Sequence, residues 1–231
     1  MWLINSSIGR KVVMSVTGIA LILFLTFHCA MNIVALFSGE AYNMICELLG
    51  ANWYAVVATL GLAALAVIHI VYAFILTAQN RQARGDNRYA IATEVNPGKV
   101  EWASKNMLVL GIIILLGLLL HLFNFWYNMM FAEIVGFSSG HLPSDGFAFI
   151  IDTFSNPVFV VLYVIWLCAI WFHLTHGFWS AMQTLGISGK TWFCRWKVIG
   201  FIYVTLLMLA FLVVVLAFAL KCAPSLYSFG G

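Results

Sequence analysis

Charge is what this sequence has least of. Only 8% of its 231 residues are charged and 64% are hydrophobic, whereas a soluble domain is about a quarter charged and about half apolar. Too little polar surface remains to face water, which places the chain in the integral-membrane class. Proline is scarce as well, 4 in all. The long apolar runs therefore read as unbroken helices, unlike the interrupted helices of many transporters. Paired cysteines are missing: Cys29, Cys46, Cys168, Cys194 and Cys222 show no regular spacing. The lack of Cys-x-x-Cys argues against a zinc or thioredoxin-like motif, and the lack of Cys-x-x-Cys-His against c-type haem attachment. The early run GRKVVMSVTGIALILFLTF has a basic start and an apolar body, as a signal peptide does. It is too long for that role and no small-residue cleavage site follows, so it reads as a mature membrane helix.

Crossing about 30 Å of hydrocarbon takes about 20 helical residues. Five runs are long enough: Val12–Phe37, Trp53–Ala78, Met107–Phe131, Val158–Leu185 and Val198–Leu220. Positive charges cluster on cytoplasmic loops. Arg10 and Lys11 precede the first span, and Arg81, Arg84, Arg88, Lys99 and Lys105 lie between the second and third. Lys190, Arg195 and Lys197 lie between the fourth and fifth, leaving only Lys221 for the opposite face. The opposite loops hold Glu40, Glu47, Glu133, Asp145 and Asp152. The expected fold is an all-α membrane protein of one domain. Its five transmembrane helices form an antiparallel bundle, with the N-terminus cytoplasmic and the C-terminus periplasmic.

The cytoplasmic segment Gln79–Asn106 is polar, basic and broken by Asn-Pro-Gly, a turn signal. It reads as an orientation signal or as a docking surface for a cytoplasmic partner. The outer segment Ala132–Asn156 reads as irregular or as a short interfacial piece, with His141 solvated in it.

Histidine is where the chemistry concentrates. His28, His69, His121 and His173 fall one each in the first four spans, and His176 joins the fourth. Ionisable residues inside a membrane usually face the bundle interior and mark function, and no Asp, Glu, Lys or Arg accompanies them at depth. His28 lies 17 residues after Lys11 and His121 lies 16 after Lys105, each roughly 25 Å from the inner charges at 1.5 Å per residue. His69 lies 12 residues before Arg81 and His173 lies 13 before Gly186, roughly 18 Å from that side. The four sort into two layers, His28 with His121 nearer the outside and His69 with His173 nearer the inside. Two imidazoles from different helices match the axial positions of a six-coordinate haem iron, and bundles build such sites between facing helices. Two layers make two b-type haems. A zinc or copper centre would want three or four ligands at one depth. Gly117, a turn before His121, and Gly177, a turn after His173, either admit a flat macrocycle or serve helix packing.

With these residues in view, the segments SSIGRKVVMSVTG, FHCAMN, SGEAYN and FHLTHGFWSAMQTLG resemble the single-chain di-haem cytochrome b subunit of succinate dehydrogenase and fumarate reductase. The likeness covers nearly the whole chain. It implies a membrane anchor for a flavoprotein and an iron–sulfur protein on the cytoplasmic face of the bacterial inner membrane, and it allows a dimer of heterotrimers. Electrons would pass between the iron–sulfur subunit and menaquinone. It implies His28 and His121 at a distal haem, and His69 and His173 at a proximal one. His173, Gly177, Trp179 and Gly186 fit the family's fourth-helix pattern, leaving His176 to bond a propionate or a neighbouring helix. Arg10, Lys11, Ser15 and Lys190 are the candidates for the proximal propionates. Glu40 and Glu47 are the carboxylates available as proton acceptors at an outer quinone site. Where some members carry a carboxylate for a proton path, this chain has Trp171.

A nitrate-reductase-type or formate-dehydrogenase-type cytochrome b is the nearest alternative, although those anchors commonly place two ligands on one helix. A haem-free transporter or scaffold is the third reading.

Overall fold

The computed structural model describes residues 6–84 and 102–227. Helices α1 Ser7–Phe37, α2 Gly39–Leu48, α3 Trp53–Arg84 and α4 Trp102–His121 come first in the chain. A π-helical stretch, Leu122–Phe131, then leads into α5 Ala132–Val135. After these come α6 Gly146–Ser155, α7 Pro157–Thr184, α8 Lys190–Ala219 and a 3-10 turn at Pro224–Leu226. No strand occurs among the described residues. Five helical stretches are long and apolar enough to cross a membrane: Ser7–Phe37, Trp53–Ala83, Trp102–Val135, Pro157–Thr184 and Lys190–Leu226. The chain is accordingly a multi-pass membrane protein by length and composition.

Four of the expected spans lie within one of these stretches, and the fourth in the chain, Val158–Leu185, passes its helix end at Thr184 by one residue. The basic segment between the second and third spans is helical at both ends, through Arg84 and again from Trp102. Arg88, Lys99 and the Asn-Pro-Gly turn lie outside the described residues. The segment Ala132–Asn156 contains a true helix, α6, whose N-cap Asp145 accepts the Ala148 N–H at 3.2 Å. Another short helix, α2, follows α1 with one residue between them. That residue, Ser38, donates its N–H to Val34 O at 3.0 Å and accepts the Ala41 N–H on Oγ at 3.1 Å. At the far end of α7, Gly186 adopts φ +78°, and the Ile187 N–H closes the helix on Met182 O at 3.2 Å.

Four helices make a square. α1 packs on α3 and α7, α7 packs on α4, and α4 meets α3 lightly. The diagonals, α1 to α4 and α3 to α7, face each other across the middle. α8 covers α7 and α1 from outside, and α6 covers one end of α8. The driest packing is where α1, α6, α7 and α8 converge, around Ala35, Ile150, Tyr163, Val204 and Phe218. Cross-helix polar contacts pin this side: the Thr26 and Tyr203 hydroxyls hydrogen-bond, and Trp171 Nε1 donates to Thr205 Oγ1 at 2.9 Å. Trp171 is thus a rivet between α7 and α8. α3 is the contrasting member, with Val57, Leu60, Val67, Val71 and Phe74 exposed, as suits a helix bathed in lipid.

Candidate functional site

The four span histidines meet in twos, along both diagonals of the square. The His28 ring on α1 and the His121 ring on α4 have centroids 5.6 Å apart at 84°. The His69 ring on α3 and the His173 ring on α7 have centroids 6.4 Å apart at 67°. Among the described residues, no group of three or more His, Cys, Asp or Glu side chains converges.

Aromatic rings wall the His28/His121 pair. Phe24 stacks on His28 at 5.6 Å and Phe211 of α8 lies 5.9 Å away. Phe125 and Trp166 lie 5.2 and 5.5 Å from His121. Its polar neighbours are few and distant: Asn32 Nδ2 sits 3.4 Å from His28 Nε2, and the Tyr163 hydroxyl 3.4 Å from His121 Nδ1. The buried amide of Asn124 donates to the same Tyr163 hydroxyl at 3.4 Å. Asn124 belongs to the π-helical stretch that begins directly after His121, a local widening often found at functional sites. Asn128 helps to satisfy that stretch, donating to Phe123 O at 2.9 Å and Asn124 O at 3.2 Å.

The His69/His173 pair has a different setting. Thr17 Oγ1 on α1 lies 3.1 Å from His69 Nδ1. The next residue is Gly18, where a Cβ would stand 3.3 Å from His69 Cε1. His173 Nδ1 is buried with no hydrogen-bond partner. His176, one turn on, takes no place opposite His69; it meets the Trp179 ring edge-on at 4.8 Å. Lys197 lies over that same indole, 4.4 Å from its centroid.

The other sequence candidates are scattered. Glu40 and Glu47 stand exposed on α2 and line a cleft of about 250 Å³ with Asn43, Met44, Ser144 and Asp145. A polar link joins this helix to the first pair, since the Tyr42 hydroxyl donates to Asn32 Oδ1 at 3.4 Å. Burial of α2 against α6 pushes the Tyr42 phenol well up and the Cys46 thiol up to about 11. Ser15 is buried on α1, whereas Lys11 and Lys190 are exposed. His141 is not simply solvated: its Nε2 pairs with Asp152 at 2.7 Å and its ring meets Phe149.

The two glycines also part ways. A Cβ on Gly117 would overlap the Trp166 indole, whose Nε1 donates to Ile114 O at 3.0 Å. Gly117 therefore serves the α4–α7 contact. A Cβ on Gly177 would meet nothing within 4 Å.

A metal–imidazole bond of about 2.0–2.1 Å, the value at zinc, on each side of one ion sets two ring centres about 6.4 Å apart. The His69/His173 separation of 6.4 Å matches that value, and the His28/His121 rings, 5.6 Å apart, stand closer together. Each pair can thus supply two neutral nitrogen ligands from opposite helices. The residues fit an axially bis-ligated haem. No family model, curated protein or solved structure matches this chain.

Proposed function

We propose that this chain is the membrane-anchoring cytochrome b subunit of a succinate:quinone oxidoreductase or quinol:fumarate reductase. The observation that carries the reading is the crossing of the two histidine pairs on the diagonals of one four-helix square. Two b haems bound there would supply a one-electron relay through the bilayer. His28 and His121 would hold the distal iron, and His69 and His173 the proximal one. The rings of Phe24, Phe125, Trp166 and Phe211 keep water from the first pair. Glu40 and Glu47, on the cleft beside α2, would accept protons from menaquinol. Arg10, Lys11, Ser15 and Lys190 would bind the proximal propionates, with His176 nearby.

The bundle would be antiparallel, with the N-terminus in the cytoplasm and the C-terminus in the periplasm of a bacterial inner membrane. Lys and Arg crowd the loops of the expected cytoplasmic side, where a flavoprotein and an iron–sulfur subunit would dock. Dicarboxylate chemistry would belong to the flavoprotein.

Purification of the chain from its native membrane tests this directly. The expected result is about two b-type haems per chain by pyridine haemochrome, in line with the four-ligand count, together with a co-purifying flavoprotein that oxidises succinate. Two haems with a different partner activity would move the chain to another respiratory di-haem anchor. A haem-free chain would sink the cytochrome reading altogether.

A further inference from the structure

We propose that Thr17 is a positioning residue for His69, holding its ring with the proton on Nδ1 and the lone pair on Nε2. The inference rests on the haem reading above and adds to it a residue that no ligand count would supply.

The geometry is an exercise in counting hydrogens. A threonine hydroxyl has one proton and two lone pairs. Thr17 Oγ1 lies 2.9 Å from Val13 O and 3.1 Å from Met14 O, carbonyls that can only accept. Donation to either commits the one proton, and Oγ1 then meets its third neighbour, His69 Nδ1 at 3.1 Å, as an acceptor. With the iron on Nε2, a neutral imidazole carries its hydrogen on Nδ1 and donates it to that oxygen. Gly18 lets the ring edge settle onto α1, because a Cβ there would stand 3.3 Å from His69 Cε1. Thr17 is itself buried, so water does not compete for its oxygen.

A ligating imidazole that donates its other N–H has its tautomer and orientation fixed and becomes the more basic ligand. No comparable partner serves the rest: His173 Nδ1 has none, and the contacts at His28 and His121 are 3.4 Å long. Thr17 thus makes the two haem positions unequal. A more basic ligand favours ferric iron, so the His69/His173 haem should lie lower in potential than it would without Thr17.

The test is a redox titration of the intact complex, read by the b-type absorbance. Thr17→Val keeps the shape and deletes the acceptor. It should raise one of the two midpoint potentials, leave the other in place, and weaken haem retention at that position by about tenfold or more. Thr17→Ser should restore the native value. Thr17→Ala, a better helix former, deletes the same bond and should give the same shift if the valine variant does not assemble. Two haems with both potentials unmoved in Thr17→Val or Thr17→Ala would overturn the Thr17 assignment and leave the haem reading intact. Loss in Thr17→Val that serine does not rescue would reduce Thr17 to packing. A native complex without haem would overturn both.

Discussion

The two histidine pairs are built from the same parts and finished differently. His28 and His121 sit among Phe24, Phe125, Trp166 and Phe211, with polar groups only at 3.4 Å. His69 and His173 are more sparsely walled, and one of the two has a close hydroxyl partner, Thr17. The contrast follows from which helices carry each pair. α4 packs on α7, which sets Trp166 against His121, and runs on into the stretch that carries Phe125, whereas α3 touches chiefly α1. A ring on α3 must therefore find its support on α1, and it does so at Thr17 and Gly18.

The strongest way to break this comparison is to remove one ligand from each pair. His121→Ala and His173→Ala are each expected to halve the b-type absorbance while the remaining haem keeps its spectrum, because the pairs share no residue. A single substitution that strips both haems would mean that the pairs are not independent. His176→Ala should leave both haems, since that ring faces Trp179.

The glycines offer the next test. Gly117→Ala drives a methyl into the Trp166 indole and should destabilise by about 1–3 kcal/mol, the usual cost of overpacking. Gly177→Ala enters open space and should change stability by about 0.5 kcal/mol or less. Thermal unfolding in detergent reads both. Equal effects would remove the distinction between a packed α4–α7 contact and an open α7 face.

A smaller effect is expected from Tyr163→Phe. It deletes the hydroxyl shared by His121 and the buried Asn124 amide and should cost about 1 kcal/mol, as a lost buried hydrogen bond does. Only the His28/His121 haem should change its spectrum. Alkylation of Cys46 gives the mildest probe, one of the dry packing beside the first pair. Burial disfavours the thiolate and raises the pKa to about 11, so the rate should keep rising with pH toward 11. The exposed Cys222 should react faster than Cys46 throughout, because reagent reaches it freely. A Cys46 rate that levels off near 9 would mean that water reaches the α2–α6 contact.

Much of this was legible in the residues themselves. Apolar run length located the membrane-spanning helices because a span has few ways to be built. Counting residues from the flanking charges matched His28 with His121 and His69 with His173, since a helix converts sequence distance into depth. The amphipathic pieces were harder to read. α2 and α6 are 10 residues each, too short for their periodicity to stand out from loop composition. The π-helical stretch after His121 has no signature in an unbroken apolar run. Thr17 was equally silent, because a threonine in a membrane helix usually bonds its own backbone, and only the approach of α3 adds its second role. Gly117 was left between two readings because sequence does not say that Trp166 lies opposite it.

Ser38 closes α1 with its N–H and opens α2 with its side chain, while its carbonyl accepts from Tyr42 at 3.1 Å. All three of its polar groups are committed, and no slack residue stands on either side. α1 and α2 are therefore joined like the arms of an angle bracket. The end of α1, beyond His28, thus sets where α2 starts, and with it the cleft that Glu40 and Glu47 line.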